Sequence, residues 1–189
     1  MEIKIPVEVS ARHIHISKKD LEVLFGEGYQ LRKLKQLGQP SDFATEELLE
    51  IEVNNKKISG VRVIGPEREE TQVEISKTEA VFLGVNPPTK LSGDLENSLP
   101  VRLIGPKGSL DLQKGLIVAL RHIHCATDEA ASLGLKNNDI VSVKIEGERG
   151  LIFNNVVVRV KDDYKLSMHI DTDEGNSAGV NKIGEGIII

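Results

Sequence analysis

Two stretches of this sequence are near copies of each other: Leu116-Ile117-Val118-Ala119-Leu120-Arg121-His122-Ile123-His124 and, nearer the N-terminus, Pro6-Val7-Glu8-Val9-Ser10-Ala11-Arg12-His13-Ile14-His15. Each is a strand-like run that leads into Arg-His-Ile-His. A second near-repeat pairs Val61-Arg62-Val63-Ile64-Gly65-Pro66 with Val101-Arg102-Leu103-Ile104-Gly105-Pro106. The sequence therefore predicts an internal duplication that yields two modules of similar construction.

Strand patterns also dominate the remainder of the chain. Turn-bounded, β-rich runs lie at residues 50–53, 72–76, 139–146, 151–160, 164–170 and 186–189. Three short helices are expected: one capped by Ser17 and ended by Gly26 or Gly28, one capped by Thr127, and one over residues 46–50 capped by Thr45. We predict a mainly β fold with short α-helices, in which two small β-barrel or sandwich modules are related by duplication. The expected modules are residues 1–11 plus 120–189 and residues 12–119, with a metal site at their interface.

All five histidines belong to the two His-x-His pairs or to one later segment. A His-x-His pair on a strand places both imidazoles on one face, roughly 6.5–7 Å apart along the chain. This spacing suits two ligands of one metal, or one ligand for each of two metals. A single histidine on an apolar strand is usually a core residue bonded to a backbone carbonyl. Four such histidines are harder to explain, because burying four imidazoles without partners costs about 1–3 kcal/mol each. The pattern predicts a metal centre containing His13, His15, His122, His124 and His169.

A carboxylate is expected to complete the ligand set. Two metals, each with three protein ligands and an open position, need six ligands, and the histidines supply five. Glu74 is the best local candidate, because strand alternation puts it on the face opposite Val73 and Ile75. The acidic residues that follow the last histidine are rivals at this point: Asp171, Asp173 and Glu174.

Composition limits the possible functions. The chain has 189 residues and a net charge of −5, which argues against general nucleic-acid binding. We find no signal peptide and no apolar run near the ~20 residues that span a membrane, so a cytoplasmic protein without membrane contacts is expected. The single cysteine, Cys125, excludes an internal disulfide and is expected to be a small buried residue.

Basic residues flank every part of the histidine pattern. Together they indicate an anionic substrate, such as phosphate or a phosphorylated cofactor. The sequence contains no Walker loop, no Rossmann glycine fingerprint and no Gly-x-Ser-x-Gly elbow. No Ser-His-Asp or Cys-His spacing stands out either, so chemistry by a protein nucleophile is not supported. The basic residues concerned are Arg12, Lys33, Lys35, Arg62, Arg68, Arg121 and Arg159.

Over essentially its whole length, the chain resembles the PduL-type phosphate propanoyltransferases, or phosphotransacylases. The resemblance is carried by residues 9–15, 33–40, 64–66, 70–76, 91–94, 105–108, 121–124 and 169–176. Such an ordered series is far more specific than any single His-x-His pair. The resemblance implies two β-barrels with a dimetal site, and reversible conversion of acyl-CoA (propanoyl-CoA or acetyl-CoA) and phosphate into acyl phosphate and CoA. It also implies two zinc ions per chain, a homodimer and a role in propanediol degradation.

The resemblance further implies roles for individual residues. His13, His15 and Glu74 would hold one zinc ion, and His122, His124 and His169 the other. Arg68 matches the phosphate-binding arginine, and Gln72, Ser92 and Arg159 are expected to assist catalysis. No amphipathic N-terminal extension of the kind that targets some relatives to microcompartments is found, so free cytoplasmic residence is expected. The positions that match CoA contacts are Ser10, Lys35, Arg62, Ile64 and Asn176.

Three other functions stay open on the residues alone. A metal-dependent hydrolase or thioesterase would use the same ligand types. A cupin-like metalloenzyme is expected to carry a glutamate a few residues after His15, where Ser17 instead begins a predicted helix. A non-catalytic zinc module is the third alternative, although structural zinc sites tend to be closed and cysteine-rich.

Overall fold

The computed structural model describes residues 2–189, which form fourteen strands and four short helices. The strands are β1 (Ile3–Ser10), β2 (His13–Ser17), β3 (Lys33–Gln36), β4 (Phe43–Val53), β5 (Lys56–Arg68), β6 (Gln72–Ile75), β7 (Thr89–Lys90), β8 (Leu99–Ile104), β9 (Ser109–Ala119), β10 (His122–Cys125), β11 (Ile140–Ile145), β12 (Leu151–Val160), β13 (Ser167–Asp171) and β14 (Ile183–Ile188). The helices are α1 (Lys18–Phe25), α2 (Lys77–Leu83), α3 (Thr127–Leu133) and α4 (Thr172–Ala178).

The chain divides into two compact units. The first unit contains the N-terminal segment through Ala11, together with Gly38–Ser41 and Leu120–Ile189. The second unit contains Arg12–Leu37 and Asp42–Ala119. The short segment Gly38–Ser41 lies within the range that the sequence analysis assigned to the second module. Each unit is therefore assembled from separate stretches of chain.

Six strands close a barrel in the first unit, in the order β1-β13-β10-β12-β11-β14. β1 runs parallel to β13 and antiparallel to β14, so the first strand of the chain is held by the last two. The barrel interior consists of aliphatic side chains with Phe153 as its aromatic member. Cys125 is fully buried among them, and burial raises the pKa of its thiol to about 11.

Six strands of the second unit also form a closed ring. Its order is β4-β5-β2-β6-β9-β8, and it closes because β8 pairs with both β4 and β9. β3 extends the sheet beside β4, and β7 beside β9. The core is again built from Ile, Val and Leu, in keeping with the scarcity of aromatic residues.

Strand directions follow one pattern around both barrels. Starting from β1, successive neighbours are parallel, antiparallel, parallel and then antiparallel three times. The pattern that starts from β9 is the same. β10 therefore corresponds to β2, and β13 to β6. The predicted fold class is confirmed: a mainly β protein with two barrel modules.

The helix predicted over residues 46–50 is wrong, because these residues lie within β4. Thr45 does not cap a helix; its hydroxyl donates a hydrogen bond of 2.8 Å to the carbonyl of Val63. Burial alternates along β4, and one of its inward positions is occupied by Glu47. The Glu47 carboxylate accepts hydrogen bonds from Tyr29 and Arg32, which makes an acidic residue tolerable there. Because Glu47 is a charged residue at an inward position, the sequence of β4 lacks the apolar–polar alternation that predicts a strand.

Two of the expected helices are present, and two further helices were not predicted. Ser17 caps α1, as expected, whereas α3 starts one residue early, with Ala126 at its N-cap. The unpredicted helices are α2, capped by Ser76, and α4, capped by Asp171. Each helix carries a glutamate at its third position, three residues after the N-cap residue. This capping-box spacing is the sequence signal that would have predicted both helices.

Gly175 allows α4 to pack closely on β1, and replacing it with alanine is expected to destabilise the protein. The new methyl group would lie 2.8 Å from a Val9 methyl and 2.9 Å from the Val180 carbonyl oxygen. Alanine usually stabilises a helix by about 1 kcal/mol over glycine. Overpacking costs about 1–3 kcal/mol, so we expect the free energy of unfolding to fall. Urea denaturation measures the free energy of unfolding. A higher value in Gly175→Ala would contradict the packing argument. The control Ser177→Ala should change the free energy of unfolding by less than about 0.5 kcal/mol.

Candidate functional site

Three candidate ligands lie together in the second unit: His13, His15 and Glu74. β2 pairs with β6 so that His13 is directly opposite Glu74. The Nε2 atoms of His13 and His15 lie 3.5 and 3.9 Å from the two carboxylate oxygens of Glu74. One ligand atom from each residue lies within 4.8 Å of the others. We call these three residues the His-His-Glu trio.

The protonation state of His15 suits metal binding. Burial, together with the charges of His13 and Arg68, holds the pKa of His15 well below its usual value. The ring is therefore neutral near pH 7, and a neutral imidazole is the form that ligates metals. Two imidazoles and one carboxylate match the donor set of a zinc site with an open coordination position. The His-His-Glu trio thus fits zinc.

A chain of hydrogen bonds links the trio to the arginine that matches the phosphate site. The side-chain amide of Gln72 donates to Glu74 and also, over 2.9 Å, to the hydroxyl of Ser92. Arg68 donates to the same hydroxyl over 3.0 Å. The backbone N–H of Gly93 donates to the Gln72 carbonyl over 2.7 Å, which fixes the amide's orientation. The structure therefore brings Arg68, Gln72 and Ser92 together beside a candidate ligand.

Two residues that match CoA contacts lie beside the same trio, and a third lies on the same face of the sheet. Arg62 and Ile64 on β5 are the register partners of His13 and His15 on β2. Further along the same sheet, Ile64 is opposite Ala44, which is opposite Lys35 on β3. Because paired residues share a face of a sheet, Lys35, Arg62 and Ile64 face the same way as the histidines. Lys35 is exposed and offers its ammonium group to an anionic ligand.

The remaining three histidines form a second group in the first unit: His122, His124 and His169. Their ring centroids are 4.6, 4.8 and 5.4 Å apart. His122 and His124 are buried on β10, and His169 is opposite His122 on β13. The carbonyl of Leu120 accepts a hydrogen bond of 2.8 Å from Nδ1 of His122, so in the neutral ring Nδ1 carries the proton and Nε2 the lone pair. We call these residues the triple-His trio, and their donors also suit zinc.

The two trios occupy corresponding positions in their barrels. His13 and His15 correspond to His122 and His124, since β2 corresponds to β10. Glu74 then corresponds to His169, because each is opposite the first histidine of its pair. The second histidine is opposite Gln72 in one unit and Ser167 in the other. The duplicated frame thus supplies three donors twice, with one histidine replaced by glutamate.

Three residues around the triple-His trio were not predicted as site residues: Gln39, Tyr164 and Ser167. The ring of Tyr164 lies 4.1 Å from that of His124, and the Ser167 hydroxyl lies 2.9 Å from Nε2 of His169. Gln39 donates to Ser167 over 2.9 Å and bonds the backbone of Lys165. Ser167 was detectable, because strand alternation puts it on the same face as His169. No local signal connects Gln39 with residues more than 120 positions away.

The other candidates lie in the first unit. Arg159 is the register partner of His124 on β12, and its guanidinium lies 5.9 Å from the Tyr164 ring centroid. Ser10 ends β1, and Asn176 is exposed on α4. Two of the rival carboxylates have structural roles, since Asp171 caps α4 and Glu174 completes its capping box. Asp173 lies in the first turn of the same helix.

The fold and its two trios define a class: a mainly β, double-barrel protein with a histidine-rich group of candidate ligands in each barrel. A family model described as phosphate propanoyltransferase matches residues 6–181. The chain belongs to this family, which confirms the resemblance, and it is an acyltransferase. Within residues 2–189, no helix has the length and apolar character needed to cross a bilayer.

Individual relatives agree with this assignment. The phosphate propanoyltransferase of Thermotoga maritima is 51% identical over 93% of this chain and 84% of its own length. That of Clostridioides difficile is 46% identical over 96% of this chain and 87% of its own. That of Salmonella typhimurium is 46% identical over 94% of this chain and 84% of its own.

Proposed function

We propose that this chain reversibly transfers the acyl group of propanoyl-CoA or acetyl-CoA to phosphate with the help of two zinc ions, one held by each trio. The observation that carries the proposal is the hydrogen-bonded chain from Arg68 through Ser92 and Gln72 to Glu74. It connects an anion-binding group with a candidate metal ligand. Zinc, when bound, would supply a Lewis acid that stabilises the leaving thiolate of CoA.

The chain's own residues would bind and orient the two substrates. Arg68 presents a planar guanidinium to phosphate, and the Ser92 hydroxyl holds that group in place. Gln72 fixes both Ser92 and the Glu74 carboxylate, so substrate and ligand geometry are set together. Lys35 and Arg62 provide positive charge for the phosphates of CoA. Arg159, beside His124, is assigned a supporting role in the first unit, where Ser10 and Asn176 are the CoA candidates.

Transfer would be direct, from the thioester to phosphate. A phosphate oxygen attacks the carbonyl carbon, a tetrahedral oxyanion forms, and the C–S bond breaks to release CoA. A covalent acyl-enzyme is not needed. Cys125 is unsuited to form one, because it is fully buried and its thiol pKa is raised to about 11. The homodimer and the role in propanediol degradation are part of the same proposal and depend on the family resemblance. The cytoplasmic location is also proposed, because the sequence has no apolar run long enough to span a membrane.

A coupled assay of CoA release tests this function. Acetyl-CoA and propanoyl-CoA are each supplied with and without phosphate, before and after chelation, and metal content per chain is measured in parallel. We expect release that requires phosphate, produces acyl phosphate, stops after chelation and returns with zinc. Release at the same rate without phosphate would instead indicate a thioesterase-like hydrolase.

A further inference from the structure

Both arginines that precede the His-x-His pairs are bound to glutamates. Nη1 of Arg12 lies 2.7 Å from Oε1 of Glu79 in the second unit. Nη1 of Arg121 lies 2.7 Å from Oε1 of Glu174 in the first. From the sequence, these arginines were predicted to belong to a set that binds an anionic substrate. Their engagement with carboxylates indicates a different role.

The two glutamates are used in the same way. In Glu79, one carboxylate oxygen accepts from Arg12 and the other accepts the backbone N–H of Ser76 over 2.8 Å. In Glu174, one oxygen accepts from Arg121 and the other the backbone N–H of Asp171 over 3.1 Å. Each glutamate therefore ties an arginine to the first turn of a helix. Charge-assisted bonds of this kind are among the stronger hydrogen bonds in proteins.

The pairs are attached to the strands that carry the ligands. Glu79 follows Glu74 at the spacing with which Glu174 follows His169, and in both cases the helix starts directly after the ligand strand. Each arginine immediately precedes the first histidine of its trio. An Arg–Glu pair thus joins the strand with two ligands to the strand with the third.

The position of the pairs matters because the joined ladders are very short. β2 and β6 pair only from His13–Glu74 to His15–Gln72, and β10 and β13 only from His122–His169 to His124–Ser167. In each ladder, the end pair nearest the arginine consists of two candidate ligands: His13 with Glu74, and His122 with His169. Beyond this end pair, the strand of the third ligand continues to pair on its other side, β6 with β9 and β13 with β1. The Arg–Glu pair adds a tie on the side of the His-x-His strand, where the end of a ladder otherwise frays.

We propose that Arg12–Glu79 and Arg121–Glu174 are positioning pairs, one per barrel, that hold the third metal ligand against the His-x-His strand. The inference rests on the proposed zinc sites. The four residues act through the ligands and do not touch substrate. Side chains that orient metal ligands typically account for about ten- to hundredfold in metal affinity.

The pair in the first unit is expected to have the larger effect. Arg121 also donates from Nε to the carbonyl of Asn154 over 2.8 Å, and its guanidinium lies 5.4 Å from the Phe153 ring centroid. Its side chain is 27% exposed, compared with 39% for Arg12. An ion pair that is less exposed is less weakened by solvent.

Zinc affinity of each trio tests the inference. Competition with a chelator is measured in full-length protein carrying either His15→Ala, which leaves the triple-His trio intact, or His124→Ala, which leaves the His-His-Glu trio intact. We expect Arg121→Gln to weaken binding by the triple-His trio by about tenfold or more and to leave the other trio unchanged. Arg12→Gln should do the reverse, with a smaller loss.

Two further variants separate positioning from general stability. Arg121→Lys keeps a positive charge for Glu174 and leaves the capping box of α4 intact, so it should lose less zinc affinity than Arg121→Gln. Glu129→Gln is the matched control, because Glu129 makes the same kind of capping bond to Ala126 in α3 but has no ion pair within residues 2–189; it should leave zinc affinity unchanged. Unchanged affinity in Arg121→Gln, or equal losses in both trios, would overturn the inference. Failure of the unmodified chain to bind zinc would overturn the proposed function itself.

Discussion

Replacing Glu74 with alanine should remove one metal ion per chain and lower kcat/KM for acyl transfer by about a thousandfold. Mutating a side chain that only orients a metal ligand typically costs about ten- to hundredfold in affinity or activity. A larger loss is expected here, because the ligand itself is removed. Glu74 is 6% exposed and faces both histidines of its trio, and within residues 2–189 it is the one carboxylate of this candidate ligand group. Metal analysis and steady-state kinetics on the same preparation measure both effects.

Glu50 provides a matched control for this substitution. It lies on β4 of the same barrel, and its carboxylate accepts hydrogen bonds from the surface partners Lys57 and Ser59, at 2.8 and 2.6 Å. Glu50→Ala should keep both metals and full activity, with a stability change below about 0.5 kcal/mol. If Glu74→Ala retained two metals and wild-type kinetics, the His-His-Glu trio would not be a zinc site.

Replacing Arg68 with alanine should raise KM for phosphate by about a hundredfold while the KM for acyl-CoA changes little. A hydrogen bond to a charged group contributes about 1.5–3 kcal/mol, and phosphate would lose a bidentate partner. Arg68→Lys should recover only part of the loss, because an ammonium group lacks the planar fork of a guanidinium. Initial rates over a phosphate series at saturating acyl-CoA measure the effect.

The control for Arg68 is Arg102, an exposed arginine of the same barrel that bonds to Ser109 on the neighbouring strand. Arg102→Ala should leave both KM values unchanged. If Arg68→Ala instead raised the KM for acyl-CoA and left that for phosphate unaltered, Arg68 would belong to the CoA site. The two outcomes are distinguished by the substrate whose concentration dependence changes.

Sequence patterns predicted those features that are encoded locally or repeated. The two His-x-His pairs indicated both the duplication and the ligands, because a period of two places the imidazoles on one face. Counting ligands left Glu74 and the acidic loop as alternatives, and the family resemblance selected Glu74. The structure brings Glu74 to the first histidine pair, through the register of β2 and β6. That register depends on long-range pairing that no local pattern displays.

Features created by tertiary contacts were not predictable in this way. Glu47 faces inward on β4 because Tyr29 and Arg32 bond to it, and the sequence around Thr45 therefore resembled a helix. Gln39 contacts Ser167 only because Gly38–Ser41 belongs to the first unit. The module boundaries at residues 11/12 and 119/120 remain our proposal for the limits of the duplicated halves.

The pairing of β1 has a consequence for biosynthesis. Ile3 on β1 is paired with Ile188 on β14, so two neighbouring strands of the first barrel are separated in sequence by almost the whole chain. Loops of this length close slowly, and an unpaired strand is exposed to aggregation meanwhile. On the ribosome, the second barrel has all its strands once Ala119 has emerged. The first barrel must wait until β14 has been synthesised, so β1 is the segment that chaperones are expected to shield.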